Sequence, residues 1–149
     1  MNRRKFVQFL SMVPVSAVAL AACGGGGGAS ATQQIGAQGE QLKFDKDTLT
    51  VPSGQQITVT FNNTSTTNTH DWVLANGGDD VASQVNDAAQ ANGGEVTADI
   101  PNVIAFTRIL NPGEQEQVQF QAPAAGNYTY LCTVPGHYAA GMKGTLTVA

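Results

Sequence analysis

Residues 131–142 read Leu131-Cys132-Thr133-Val134-Pro135-Gly136-His137-Tyr138-Ala139-Ala140-Gly141-Met142. Four residues separate Cys132 from His137, and four more separate His137 from Met142. Alternating apolar and polar residues precede and follow this stretch, and Pro135-Gly136 is a turn signal within it. The pattern predicts a tight loop that joins two strands and carries three side chains able to bind a metal.

A fourth candidate ligand, His70, lies far upstream at the head of the segment His70-Asp71-Trp72-Val73-Leu74. One thiolate, two imidazoles and a thioether match the trigonal His₂Cys site with a weak axial Met that holds blue copper. Structural zinc sites favour more thiolates, and calcium and magnesium favour oxygen ligands. The sequence therefore predicts one type 1 copper ion, cycling between Cu(I) and Cu(II), with the ligands His70, Cys132, His137 and Met142.

Period-2 alternation predicts further strands in the rest of the chain, such as residues 57–61, 117–121, 128–132 and 145–148. Asp80 to Gln90 differs, because its apolar residues recur at helical spacing, with Asp79 or Asp80 as the expected N-cap and Gly93-Gly94 as the expected end. The predicted fold class is all-β, a β-sandwich or Greek-key barrel with a short helical insertion.

Charged residues make up only 12% of the 149-residue chain, and its formal net charge is −4. Three of the seven basic residues are Arg3, Arg4 and Lys5, so their removal leaves four basic residues against eleven acidic ones. Nucleic acid is therefore excluded as a partner, because phosphate binding needs a basic surface.

Residues 1–22 have a signal-peptide profile, with a basic start, an interrupted apolar run and the small-residue end Leu20-Ala21-Ala22. With Cys23, that end resembles the bacterial lipobox and predicts a lipidated Cys23 that anchors the exported protein on the extracytoplasmic, periplasmic face of the cell membrane. An ordinary cleavage site, with Cys23 as a spare thiol or half of a disulfide, is the alternative. Arg3-Arg4 leaves both general secretion and twin-arginine export open.

Three segments are predicted. Residues 1–22 form the signal peptide, residues 23–40 comprise the lipidated cysteine with a flexible Gly-rich linker, and residues 41–149 form the copper-binding domain. The linker prediction depends on a composition of Gly, Ala, Ser, Thr and Gln with little to bury.

From Gln41 to Ala149 the chain resembles the cupredoxins, the plastocyanin–azurin group. Residues 132–137 are similar to the azurin ligand loop, and residues 70–74 are similar to the azurin segment His-Asn-Trp-Val-Leu. The spacing from His137 to Met142 is one residue longer than in azurin and matches plastocyanin, a combination that resembles the auracyanins. The resemblance implies an eight-stranded Greek-key sandwich and a single-electron carrier.

The resemblance also implies roles for individual residues. His70 is expected to be buried, and His137 is expected to present its ring edge to solvent within an uncharged docking patch made of Pro135, Gly136, Tyr138, Ala139 and Ala140. Azurins have Asn where this chain has Asp71, whose carboxylate is expected to accept a hydrogen bond from Thr133 and to lower the copper potential. Azurins also have Gly where this chain has Thr69, so no fifth ligand is predicted.

The expected partners are redox proteins, such as a c-type cytochrome, a reaction centre or a membrane electron-transfer complex, bound by a monomer. Both a photosynthetic and a respiratory chain remain compatible with the chemistry. An extracytoplasmic copper chaperone or storage lipoprotein is the alternative function. A copper enzyme is not expected, because a second copper centre needs more than the chain's two histidines.

Overall fold

The computed structural model describes residues 30–149, which form eight strands and one helix in a sandwich of two sheets. The strands are β1 (Ser30–Gly36), β2 (Thr48–Val51), β3 (Gln56–Asn62), β4 (Val73–Ala75), β5 (Val103–Phe106), β6 (Gln115–Gln121), β7 (Gly126–Leu131) and β8 (Lys143–Val148). Helix α1 (Asp79–Gln90) lies between β4 and β5 along the chain. The predicted β-sandwich with a short helical insertion is confirmed.

The two sheets have the strand orders β1-β3-β6 and β2-β8-β7-β4-β5. In the larger sheet β7 runs antiparallel to both β4 and β8, and its register pairs Leu131 with Val73 and with Lys143. The chain before β4, the chain after β7 and the chain before β8 therefore meet at one end of the sheet. His70, Cys132 and Met142 lie in these three segments.

The structure corrects the predicted start of the domain at residue 41. Residues 30–36 form β1, which pairs in parallel with β3 along its whole length, and Ile35 is buried in the core. The backbone hydrogen bonds of this pairing order a segment whose composition indicated a linker. The predicted signal peptide, Cys23 and the Gly24 to Gly28 run lie outside the described residues.

The N-cap of α1 is also corrected, from Asp79 or Asp80 to Gly78. Asp79 and Asp80 instead occupy the first turn, where a carboxylate interacts favourably with the helix dipole. Gly93 and Gly94 follow the helix with positive φ angles of 70° and 94°, in the region that favours glycine. Within residues 30–149, α1 falls short of the length and hydropathy of a membrane-spanning helix.

The large sheet buries apolar residues on both faces. Its inner face contributes Leu74 and Tyr130 to the core between the sheets, and the adjoining residues Trp72 and Cys132 belong to the same core. Its outer face contributes Val73 and Leu131 to a second cluster with Val85 and Ala89 of α1. The helix thus covers the outer face beside the end of the sheet where the candidate ligands lie.

Candidate metal centre

The loop between β7 and β8 is closed by backbone hydrogen bonds that connect its candidate ligands. The Cys132 amide donates to the Met142 carbonyl at 3.1 Å, and the Met142 amide donates to the His137 carbonyl at 3.0 Å. Gly136 and Gly141 have φ angles of 87° and 97°, which allow the tight turns between the ligands. These backbone hydrogen bonds hold the loop closed and thereby fix the positions of its three ligand residues.

His70 reaches the same point from the segment that precedes β4. Its amide donates to the Leu110 carbonyl at 3.1 Å, and the Leu110 amide donates back to the His70 carbonyl at 2.8 Å. The His70 side chain is fully buried, and Trp72, two residues on, is also buried in the core.

A polar network that the sequence pattern does not predict orders the chain before His70. The buried Asn63 side chain donates to the carbonyls of Asn68 and Leu110 and accepts from the Ser65 amide. The Glu40 carboxylate accepts hydrogen bonds from Ser65, Thr66 and Thr67, which lower the pKa of Glu40 to about 2. Polar residues of this kind are common in ordinary turns. The sequence therefore does not distinguish a network that holds the chain before His70 from an ordinary polar loop.

The donor atoms of three predicted ligands converge. The Nδ1 atoms of His70 and His137 lie 3.2 Å apart, and the Cys132 Sγ lies 3.9 Å from the first and 3.4 Å from the second. An ion with bonds of about 2.0–2.3 Å to nitrogen and sulfur fits between atoms at these separations. Met142, fully buried in the same core cluster as Cys132, supplies the thioether of the type 1 set.

The protonation of these side chains suits a metal. Burial, with a smaller contribution from the His137 ring, lowers the pKa of His70 to about 4, and burial also lowers the pKa of His137. Both imidazoles are therefore neutral at neutral pH, with a lone pair available. Burial raises the pKa of the Cys132 thiol well above its usual range, as does the nearby Asp71 carboxylate, so a bound ion has to displace this proton.

The orientation of His70 points to the same conclusion. Its Nε2 is buried without a hydrogen-bond partner among residues 30–149, while its Nδ1 faces the other donors. A metal on Nδ1 keeps the ring in a defined tautomer, with the proton on Nε2.

A side-chain contact joins the two ligand segments directly. Asp71, which follows His70, is fully buried and accepts a hydrogen bond from the Thr133 amide at 2.7 Å. The Thr133 hydroxyl lies 2.5 Å from the second Asp71 oxygen and 2.7 Å from the Gly94 carbonyl. Burial raises the pKa of Asp71 to about 6, although the hydrogen bonds from Thr133 lower it.

The chain belongs to the plastocyanin/azurin family of copper-binding proteins, whose family model matches residues 31–149. Its four ligands, His70, Cys132, His137 and Met142, form a type 1 copper site. As a member of this family, it is an electron carrier and not an enzyme.

Within the family, the chain is similar to auracyanins. It is 41% identical to auracyanin-A of Chloroflexus aurantiacus over 93% of this chain and 94% of that protein. It is 46% identical to auracyanin-B of the same organism, over 78% of this chain and 52% of that one. The crystal structure of dithionite-reduced auracyanin from the photosynthetic bacterium Roseiflexus castenholzii is 49% identical and superposes with a TM-score of 0.77, covering 83% of this chain and 99% of that one.

Replacing Cys132 with serine should abolish the intense blue colour of the copper-loaded protein, because an oxygen ligand cannot replace the thiolate bond to copper. The visible spectrum after addition of Cu(II) measures this directly. Far-UV circular dichroism should match that of the wild type, since serine occupies nearly the same space. A fully coloured, redox-active Cys132→Ser protein would refute the assigned site.

Proposed function

We propose that this blue copper protein is tethered to the extracytoplasmic face of the cell membrane and carries single electrons between the components of a photosynthetic or respiratory chain. The observation that supports it is the convergence of two neutral imidazoles and a buried thiol, fixed by backbone hydrogen bonds. Bound copper supplies the one-electron couple. The chain holds the ligands in place, so little has to move when the electron does.

Burial of the ligands favours a carrier over a copper chaperone. His70, Cys132 and Met142 are fully buried, and His137 alone of the four is partly exposed. Delivery of copper requires exposed ligands that a partner can approach and exchange. Three ligands inside the core favour retention of the ion while electrons pass.

The proposed route for the electron is the His137 ring, through the predicted docking patch. Pro135, Gly136, Ala139 and Ala140 are exposed around it, and Tyr138 is partly exposed. An uncharged surface of this kind is easily desolvated and suits brief contact with a redox protein such as a c-type cytochrome.

Ala139→Glu should slow electron transfer to a soluble c-type cytochrome about tenfold, because it introduces a charge that has to be desolvated in the docked complex. Stopped-flow mixing of the reduced copper protein with the oxidised cytochrome gives the second-order rate constant. The blue absorption should be unchanged.

Ala125→Glu is the matched control, since Ala125 is also exposed but precedes β7, at the end of that strand opposite Cys132. This variant carries the same added charge and should keep a rate close to that of the wild type. Equal rates for the two variants would count against the patch.

We also propose that Asp71 tunes the copper potential through its position between the two ligand segments. Its carboxylate lies directly beside Thr133, which follows the ligand Cys132. A buried negative charge stabilises the more positive, oxidised centre. Hydrogen bonding by Thr133 keeps the carboxylate in place.

Asp71→Asn should therefore raise the midpoint potential at pH 8, where the wild-type carboxylate is ionised. The expected increase is roughly 40–80 mV, the one-electron equivalent of ~1–2 kcal/mol. Redox titration followed by the blue absorption measures it. Asp87→Asn removes an exposed carboxylate from α1 and should leave the potential nearly unchanged; identical midpoints for Asp71→Asn and the wild type would remove this role.

The proposed tether depends on the sequence Leu20-Ala21-Ala22-Cys23, which lies outside the described residues. Acylation of Cys23 would provide several chains on one residue, enough for stable anchoring. The Gly-rich residues that follow would allow the domain to reach partners in the membrane.

Cys23→Ser should move the protein from the membrane fraction to the soluble extracytoplasmic fraction of the expressing cells. Mass spectrometry of the N-terminal peptide should detect acyl chains in the wild type and none in Cys23→Ser. Gly25→Ser, which introduces the same side chain two residues on, should remain with the membrane. A soluble, unacylated wild-type protein would contradict the tether and leave the copper site unaffected.

A further inference from the structure

Both ends of helix α1 contact the copper-binding loop, which is the segment between β7 and β8 from Cys132 to Met142, or the residue that follows it. The helix packs on the outer face of β4 and β7, so it is not part of the sheet that delivers the ligands. Its first residue, Asp79, and its last residue, Gln90, nevertheless bond to residues beside the ligands.

At the start of the helix, one carboxylate joins two residues that directly follow ligands. The Asp79 Oδ1 accepts a hydrogen bond from the Tyr138 hydroxyl at 2.7 Å, and both Asp79 oxygens lie within 2.8 Å of the Lys143 Nζ. Tyr138 follows His137, and Lys143 follows Met142. The Lys143 Nζ also lies 5.2 Å from the centre of the Tyr138 ring, so Asp79, Tyr138 and Lys143 all contact one another.

At the far end of the helix, the contact is with the residue that follows Cys132. The Gln90 Nε2 donates to the Thr133 carbonyl at 2.9 Å, and the Thr133 hydroxyl lies 2.7 Å from the Gly94 carbonyl. A Cβ on Gly94 would lie 2.7 Å from both the Pro135 Cδ and the Thr133 carbonyl oxygen. The backbone after α1 therefore lies directly against the start of the loop.

We propose that α1 is a brace that fixes both ends of the copper-binding loop, with Asp79 and Gln90 as positioning residues. A 12-residue helix is a stiff element of about 18 Å, so its two ends keep a constant separation. Each loop ligand, Cys132, His137 and Met142, is followed by a residue that the helix contacts. The inference deepens the copper site already described and rests on it.

The contacts between α1 and the loop are weak, so the choice between measuring copper loss and measuring the unfolding temperature matters. Asp79 is exposed, and an exposed ion pair contributes little to global stability. The same contacts act directly on local opening of the loop, the motion that releases copper and that requires less than global unfolding. Loss of copper and the geometry of the site are therefore more sensitive readouts than the unfolding temperature.

Asp79→Ala tests the brace, with Asp80→Ala as the matched control. Both residues lie exposed in the first turn of α1, so each substitution removes the same charge from the same helix end. Asp80 makes no side-chain hydrogen bond to the loop or to Lys143 within residues 30–149, whereas Asp79 bonds to Tyr138 in the loop and to Lys143 at the start of β8. The copper-loaded proteins are mixed with excess EDTA, and the fading of the blue absorption gives the rate of copper loss.

Asp79→Ala should lose copper about threefold to tenfold faster than Asp80→Ala, and its copper hyperfine splitting in the electron paramagnetic resonance spectrum should shift as the loop ligands move. Asp80→Ala should match the wild type in both readouts. Equal rates and spectra for Asp79→Ala and Asp80→Ala would overturn the role of Asp79. Because each variant remains blue and reducible in that case, the electron-carrier function would still stand.

The other end of the brace has its own pair of variants. Gln90→Ala removes the hydrogen bond to Thr133, whereas Gln84→Ala makes the same truncation at an exposed position of α1. Gln90→Ala should lose copper faster than Gln84→Ala, and Asp79→Ala combined with Gln90→Ala should be faster than either alone. A Gln90→Ala rate equal to that of Gln84→Ala would restrict the contact to packing and overturn the two-ended brace.

Discussion

The hydrogen-bonded pairing of β4 with β7 is the constraint on which the copper site depends. It brings the segment that carries His70 beside the segment that ends at Cys132, although the two are 62 residues apart. The backbone bonds between His70 and Leu110, and between Cys132 and Met142, then fix both segments at the end of the sheet. The separations of 3.2–3.9 Å between the donor atoms follow from this pairing.

Burying the polar ligand side chains of such a site costs folding free energy, and hydrogen bonds in the surrounding chain hold the ligand segments in place. A thiol with a raised pKa and an imidazole with an unpartnered nitrogen are buried side by side. Asn63 and Glu40 hold the chain before His70, while Asp71 and Thr133 join the two ligand segments across the site. Polar contacts therefore hold both ligand segments in place around the metal-binding centre.

The ligands could be predicted from the sequence because their chemistry and order restrict the metal, and the strands could be predicted where apolar residues alternate. Strand β1 could not, since Ser30 to Gln34 lack alternating large apolar residues and pair with β3 through their backbone. The role of Asp79 was equally hidden, because its partner Tyr138 is 59 residues away and an acidic residue at a helix start already has a local explanation. Contacts between distant segments leave no periodic signal in either case.

The outer face of the large sheet is apolar because helix α1 packs on it. Val73 and Leu131 are fully buried although they point away from the core between the sheets, and their partners are residues of α1. Val73 lies three residues after His70, and Leu131 directly precedes Cys132. These two residues pack against the helix and are also close in sequence to the ligands. Packing on the outer face therefore helps to fix the backbone that carries the metal centre. A helix seated elsewhere on the sheet would bury similar apolar area, yet it could not reach both Thr133 and Tyr138.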